Sequence, residues 1–306
     1  MSNSSNLVNV YCPNCGSRKK HKIYPGTILQ DKLNLLSSYS YEVWIDGHHP
    51  IVQCANCRFY YTCPRDSIKT LAAIYATGSV ESYFKETEGK LASFRDEAIF
   101  LKKLTGGTGK LLEIGCATGL FLQAATEFGF EVWGCEPCFE AATLAKEKFG
   151  KRINVNMFRS TDYEVKTFQV VALWDVIEHV DKPTKLIQDS YNLLAPGGWI
   201  ALSTPNFDSL SRRLLGSRWH FFERWHLVFF DPKTISDLLC QVGFVNIRIL
   251  PQSKTYSISY FASYLAKWSL RLSQAALALI NRVDSRRRVM LTLPSGCMRV
   301  YGQKPL

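Results

Sequence analysis

The chain has 306 residues, 46% of them hydrophobic and 21% charged, and a formal net charge of +11. These values fit a globular protein with one full core and room for a small appended module, and they exclude a disordered, collagenous or low-complexity chain. The excess of Lys and Arg attracts anions, whether nucleic acid, anionic lipid or a phosphorylated small molecule, without choosing among them.

The first residues, Met1 to Asn6, have neither the basic start nor the apolar run of an export signal. Ten cysteines in such a chain argue for metal ligands and free thiols over a disulfide framework, so a cytoplasmic location is expected. Residues 1–65 read as a separate module. Cys12-Pro13-Asn14-Cys15 and Cys54-Ala55-Asn56-Cys57 are two C-x2-C knuckles with 38 residues between them. Four thiolates in a tetrahedron satisfy one zinc ion and leave no open position, so the expected site is structural. In so small a segment the metal would supply much of the folding free energy, about 10–16 kcal/mol of apparent binding in finger peptides. Cys135-Glu136-Pro137-Cys138 repeats the spacing without a partner pair and is read as coincidence.

Pro64 to Ser67 resembles a linker and helix cap, and the second domain is expected over 66–306. Phe84, Leu91, Phe94, Ala98, Leu101 and Leu104 recur close to helical spacing, which predicts a helix over 81–104, packed on a ligand pocket. Residues 111–119 run from Leu111-Leu112-Glu113-Ile114, an apolar strand, into the turn Gly115-Cys116-Ala117-Thr118-Gly119 and a helix from Leu120. That junction is where an open α/β sheet holds a nucleotide-like ligand. Gly115 and Gly119 allow a tight turn and close approach, and Glu113 is placed to accept a hydrogen bond from a cationic amine. Glu136 follows Gly115 by 21 positions, at the end of the next strand-like run. About that spacing puts a carboxylate on ribose hydroxyls. Ala117 stands where a G-x-G-x-x-G turn has its second glycine, which argues against a pyrophosphate cradle and for a nucleoside without phosphates.

Predicted elements continue as strand 110–115, helix 119–128, strand 130–135, helix 138–149, strand 152–156, strand 168–174, helix 183–194 and strand 198–203. Helix 232–242 and strands 244–250 and 298–303 close the chain. Alternation of this kind implies an α/β fold with a parallel, doubly wound sheet.

The ordered segments resemble class I S-adenosylmethionine (SAM) methyltransferases. Residues 111–119 match motif I and Glu136 the acidic residue of motif II. Val170 to Val180, Leu194-Ala195-Pro196-Gly197-Gly198 and Ser203-Thr204-Pro205-Asn206 match motif IV and the fifth-strand motifs. The resemblance covers roughly residues 85–250 plus the end of the chain. It implies a seven-stranded Rossmann-like sheet with an antiparallel edge. It places SAM on Glu113, Gly115, Cys116, Ala117, Gly119, Glu136, Pro137, Trp174 and Asp175. Relatives often have an acidic residue for adenine at the third strand exit, whereas this chain has Asn156-Met157-Phe158-Arg159, so that contact is left unassigned.

Acceptor chemistry belongs beyond strands four and five. Asp175-Val176-Ile177-Glu178-His179 offers His179 as a general base of near-neutral pKa. The run also resembles the D-x-x-E-H pattern of ubiquinone-type O-methyltransferases, where these groups are associated with a divalent cation. His226, in the aromatic run Trp219 to Phe230, is the second candidate and ranks above His220 because relatives often show a similar His-Leu-x-x-Phe run. The bland alternative for each is packing.

A helical insertion is expected at about 254–290. Ile258, Phe261, Leu265, Trp268, Leu272, Ala276, Leu279 and Val283 recur every three or four residues, and Arg286, Arg287 and Arg288 follow. Over 256–288 this predicts an amphipathic element packed on the protein's own sheet or in a homodimer, with peripheral contact to an anionic membrane at the inner face as the alternative.

The expected activity is transfer of a methyl group to an O or N atom of a small-molecule, glycan or lipid-linked acceptor. Zinc-bearing methyltransferases of sugar, surface-polysaccharide and antibiotic pathways resemble the arrangement of the knuckles. An RNA methyltransferase is the enzymatic alternative. Motif IV lacks the Asn/Asp-Pro-Pro-aromatic signature and no Lys/Arg strip with stacking aromatics stands out, which argues against a nucleic-acid partner. A non-catalytic zinc-ribbon protein that binds SAM structurally is the other alternative.

Overall fold

The computed structural model describes residues 7–28, 47–76, 87–258, 270–283 and 290–306. In chain order the first strands are β1 (Leu7–Val8), β2 (Lys20–Tyr24), β3 (Ile51–Cys54), β4 (Tyr60–Thr62) and β5 (Arg65–Asp66). Helices α1 (Ile68–Ala76) and α2 (Thr87–Thr105) follow, then β6 (Lys110–Ile114), α3 (Leu120–Glu127), β7 (Glu131–Cys135), α4 (Phe139–Phe149) and β8 (Ile153–Asn154). The second half holds β9 (Phe168–Trp174), α5 (Pro183–Leu193), β10 (Leu194–Pro205), α6 (Leu210–Leu215), β11 (Val228–Phe229) and α7 (Pro232–Val242). The last elements are β12 (Val245–Ser257), α8 (Leu270–Val283) and β13 (Met290–Gln303).

The main sheet has seven strands in the order β12-β13-β10-β9-β6-β7-β8. The pairs among β8, β7, β6, β9 and β10 are parallel, and β13 runs antiparallel to both of its neighbours. The expected α/β sheet and its antiparallel edge are therefore present. Alternate residues of the central strands face opposite layers, as strand geometry requires. Leu111, Val170, Trp199 and Tyr301 join the core under α2 and α3, while Leu112, Val171, Ile200 and Val300 join the core on the other face. Both faces are covered, which explains the near-continuous apolar runs.

The second core does not stop at the sheet. It continues through Leu227, Val228 and Phe230 into Phe59, Tyr61, Cys54 and Cys12. Strand β11 pairs with β4 and so joins a four-stranded sheet, β11-β4-β3-β2, to which the N-terminal segment gives three strands.

Local chemistry sets several element ends. Helix α7 starts with a capping box, Asp231 accepting from the Thr234 amide while Thr234 Oγ1 accepts from the Asp231 amide, and stops at Gly243, at φ 109°. Helix α5 has Pro183 in its first turn, where the missing N–H costs nothing.

Four expectations change. The predicted strand 152–156 shortens to Ile153–Asn154, and the predicted strand 198–203 lengthens to Leu194–Pro205. The strand predicted to end at 250 runs to Ser257, paired with a final strand that begins at Met290 rather than at 298. Residues 254–257 and 290 of the expected helical insertion are thus strand, because cross-strand pairing extends both edge strands beyond the body of the sheet. Helix α8 begins at Leu270, and the predicted contributions of Phe261, Leu265, Trp268 and Arg286 to Arg288 lie outside the described residues, as does Phe84 of the predicted helix 81–104. Within α8, Ser273 is buried, whereas Leu272 and Leu279 are each 63% exposed.

Candidate functional site

The order in which strands are added to the sheet reverses between β6 and β9. From β6 the chain steps outward through β7 and β8, then crosses to β9 and β10 on the other side. Such a switch point leaves a crevice at the carboxyl ends of the strands. A cavity of about 780 Å³ lies there, lined by the strand ends Ile114, Cys135 and Trp174. Helix α2 contributes Lys90, Ser93, Phe94 and Glu97 to the same cavity.

The turn after β6 is held in left-handed conformations, at φ 76° for Gly115, 43° for Ala117 and 77° for Gly119. A Cβ on Gly115 would lie 2.7 Å from Val176 Cγ2, and one on Gly119 would lie 2.9 Å from Phe149 Cε2. Both glycines therefore serve the packing of the turn itself as well as its curvature. Gly115 and Cys116 line the cavity, and their amides both donate to the Cys135 carbonyl, at 2.9 and 3.0 Å. Ala117 and Gly119 do not line it. The Ala117 amide instead donates to Glu136 Oε2 at 2.9 Å, and the Cys138 amide donates to Oε1 at 2.8 Å. The Glu136 carboxyl is thereby aimed by two backbone groups. Burial pushes its pKa up to about 7 in spite of those bonds. Glu113 is buried too, with Oε2 lacking a hydrogen-bond partner among the described residues, and burial together with the charge of Glu136 holds its pKa well above the usual carboxylate range. Pro137 and Cys138 line the cavity, as do Met157, Phe158 and Arg159 after β8.

On the other side, Asp175 is a non-glycine residue at φ 54°. Its Oδ1 accepts from Ser203 Oγ at 2.6 Å and its Oδ2 from Lys254 Nζ at 2.8 Å, while its own amide donates to Ser203 Oγ at 2.9 Å. Burial would raise its pKa, but the Lys254 charge wins and lowers it. These bonds over-determine a strained backbone position, as is common at functional sites. Lys254 lies on the extended part of β12, where the sequence suggested helix, and nothing local announced its pairing with Asp175 across 79 positions.

His179 and His226 come together, with ring centroids 4.7 Å apart. Glu178, His179 and His226 each offer a ligand atom within 4.8 Å of the others, and all three line the cavity. Asp175, expected beside Glu178 and His179, is instead engaged by Lys254 and Ser203. Glu178 is buried, its Oε2 has no hydrogen-bond partner among the described residues, and burial with the nearby Asp175 charge holds its pKa well above normal. The expectation of a near-neutral His179 is corrected: burial, reinforced by His226, drives its pKa down to about 3. Both imidazoles meet backbone carbonyls through Nδ1, His179 with Trp225 O at 3.2 Å and His226 with Phe221 O at 2.7 Å. Nδ1–H donation in these bonds makes Nε2 the lone-pair nitrogen of each ring in its neutral form, and Glu223 Oε2 lies 3.5 Å from Nε2 of His226. Tyr75, from α1, lines the cavity with its hydroxyl 3.1 Å from His179 Nδ1. Sequence reasoning missed this residue, since a single Tyr in a short helix carries no chemical signature. His220 does not line the cavity and packs against Phe221, its ring tilted at 43° with centroids 4.2 Å apart.

The four cysteines also converge. Turns at Cys12–Gly16 and Cys54–Arg58 close by backbone bonds of 2.8 and 3.0 Å. The Sγ atoms of Cys12 and Cys57 are 3.5 Å apart, those of Cys15 and Cys54 are 3.6 Å apart, and all four lie within 4.8 Å of one another. Zinc–sulfur bonds of about 2.3 Å in a tetrahedron would separate sulfurs by roughly 3.8 Å, so the donor set fits a zinc ion.

A family model described as a methyltransferase domain matches residues 83–249, more than half of the 306 residues. The chain belongs to this methyltransferase family. It is 30% identical over 108 residues to a ubiquinone biosynthesis O-methyltransferase of Thiobacillus denitrificans, covering 33% of this chain and 47% of that protein. A protein of the same description from Ruegeria pomeroyi is 31% identical over 153 residues, covering 44% of this chain and 59% of its own length. The chain spans about half the length of the curated relatives it matches. Among solved structures, a SAM dependent methyltransferase from Archaeoglobus fulgidus matches with a TM-score of 0.49 and 20% identity, over 78% of this chain and all of that one.

SAM, which the family implies, fits the cavity on its own chemistry. Glu136 keeps lone pairs beyond its two backbone bonds for ribose hydroxyls, and the orphaned Oε2 of buried Glu113 lacks the donor that a cationic amine would supply.

Proposed function

We propose that the chain is a SAM-dependent methyltransferase that acts on an oxygen atom of a small molecule, with an amine nitrogen as the alternative acceptor atom and glycan and lipid-linked acceptors as narrower possibilities for the same site. One observation carries the reading: the Glu136 cradle and the paired His179 and His226 open into a single cavity at the switch point. The O-methyltransferase names of the relatives support a hydroxyl acceptor.

Bound SAM would supply an electrophilic methyl group on a sulfonium. Glu113 and Glu136 would hold its amine and ribose, and Gly115, Cys116, Pro137, Trp174 and Asp175 would line the rest of its site. His226 takes the acceptor proton on Nε2, since the Phe221 carbonyl fixes its Nδ1–H. His179 stays neutral through the physiological range and orients the acceptor, with Tyr75 beside its Nδ1. Aromatic walls from Phe94, Phe121, Phe221 and Trp225 exclude water, so alignment of nucleophile and methyl provides much of the rate. The four cysteines hold one structural zinc ion. Among the described residues no helix is long and apolar enough to cross a membrane. Exposed Leu272 and Leu279, next to Arg271 and close to Arg282, support peripheral contact of the 256–288 region with an anionic membrane.

A second reading is favoured by the convergence of Glu178, His179 and His226. Two imidazoles and a carboxylate suit a divalent cation that would bind the acceptor oxygen. Radiolabelled SAM tested against phenolic, amine and glycan acceptors decides between the readings. With a base mechanism, His226→Gln lowers kcat by about 10²–10⁴ and chelators have no effect. Loss of turnover on chelation, with the four-cysteine metal still bound, favours the cation. Full activity in His226→Gln and in His179→Gln refutes both readings and favours an amine acceptor, for which proximity suffices.

A further inference from the structure

The four-cysteine segment is built into the support of the loop that carries His226. Strand β4 pairs Tyr61 with Val228 and Tyr60 with Phe229, and the Thr62 amide donates to the Leu227 carbonyl at 2.9 Å. Asp66, at the end of β5, accepts from Arg224 twice, Nε to Oδ2 at 2.7 Å and Nη2 to Oδ1 at 2.9 Å. His49 Nε2 completes the set at 2.8 Å from Oδ2, and all three side chains are buried. Burial would raise the Asp66 pKa, but the hydrogen bonds from Arg224 and His49 win and hold it at about 2, so the carboxylate is charged at neutral pH.

These contacts bracket His226. On its other side, the Leu227 amide donates to the Glu178 carbonyl at 2.8 Å, and the Trp225 carbonyl meets His179 Nδ1. A two-bond fork between guanidinium and carboxylate fixes orientation as well as distance, which a single ammonium contact does not. Within the loop the Phe221 carbonyl sets the tautomer of His226, so any slack at Arg224 reaches the imidazole through two residues of backbone.

We propose that Asp66 is a positioning residue of the acceptor half: through Arg224 it holds residues 221–227 so that His226 presents Nε2 to the cavity, making the four-cysteine segment part of the acceptor site. This rests on the reading of His226 as the acceptor-facing base. It differs from a purely structural role because it predicts a local change at one imidazole while the cofactor half is untouched.

The test uses the full chain with S-adenosylhomocysteine as the only ligand, because the acceptor is not needed for the readout. Imidazole nitrogen resonances report the tautomer of His226, assigned with His226→Gln, and hydrogen exchange reports the amides of 224–227. In Asp66→Asn we expect ligand affinity within about twofold of the parent, exchange at 224–227 faster by about tenfold, and a mixed His226 tautomer. Asp66→Glu, which keeps the carboxylate, should restore the single Nδ1–H form. If Asp66→Asn does not fold, Arg224→Lys decides by the same readouts, since it keeps the charge and loses only the fork. An unchanged tautomer and unchanged exchange would overturn the proposal. Loosening that extends to residues 110–138 with loss of ligand affinity would overturn it as well, by showing a general structural role. Failure of the base reading is separate: His226→Gln would then retain methyl transfer even though Asp66→Asn still changes the tautomer.

Discussion

Replacing Glu136 by Gln tests the cofactor half with a magnitude set by the structure. The carboxyl accepts from the Ala117 and Cys138 amides, so an amide side chain must present an NH2 group to one of those donors. It also loses the charge offered to ribose hydroxyls. Hydrogen bonds to charged groups are worth about 1.5–3 kcal/mol, which corresponds to an affinity for S-adenosylhomocysteine weaker by about 10- to 150-fold at pH 8. The pH dependence is sharper still. Burial raises the carboxyl from its ordinary 4.5 to about 7, so the folded protein binds more protons than the unfolded chain between those values. Its ionisation therefore opposes folding: stability falls as pH rises from 4.5 to about 7 and levels off above, by on the order of 3 kcal/mol for a shift of that size. Ligand binding to the ionised form has the opposite sign. Affinity should be constant above about pH 7 and fall about tenfold per unit below it. Glu113 titrates beside it, so the Glu136→Gln profile supplies the subtraction. Calorimetry from pH 5 to 8.5 on both proteins makes the measurement. Equal slopes in the two proteins, or equal affinities at pH 8, would refute the assignment of Glu136 to the ribose.

Elemental analysis should find one zinc ion per chain, lost in a Cys12→Ser/Cys54→Ser variant; a metal-free native protein would remove the zinc assignment. Gly115→Ala adds both a left-handed alanine and a contact 2.7 Å from Val176 Cγ2, whereas a Cβ on Gly106, also at positive φ, meets nothing within 4 Å. Denaturant titration should show about 1 kcal/mol lost for Gly106→Ala and about 2–4 kcal/mol for Gly115→Ala, and equal losses would show that Val176 simply moves aside.

The sequence alone determined the features whose causes are local. Apolar runs of strand length, left-handed glycines at a strand end and helix caps act over a few residues, so β6, its turn, β7 and Glu136 were legible. The knuckles were legible for the same reason, since two C-x2-C turns bring four thiols to two points that one metal can join. The helical reading of 254–257 failed because edge-strand pairing with residues 290–293 overrides a local apolar period. Which distant groups meet is set by packing of the whole chain. Tyr75 reaches His179, Lys254 neutralises Asp175, and Asp66 grips Arg224 across 158 positions. Protonation states belong to the same class. His179 was read as near neutral from its type, but its pKa of about 3 comes from desolvation and from His226, which the fold alone places beside it. Burial is a property of the packed chain, and no short window of residues contains it.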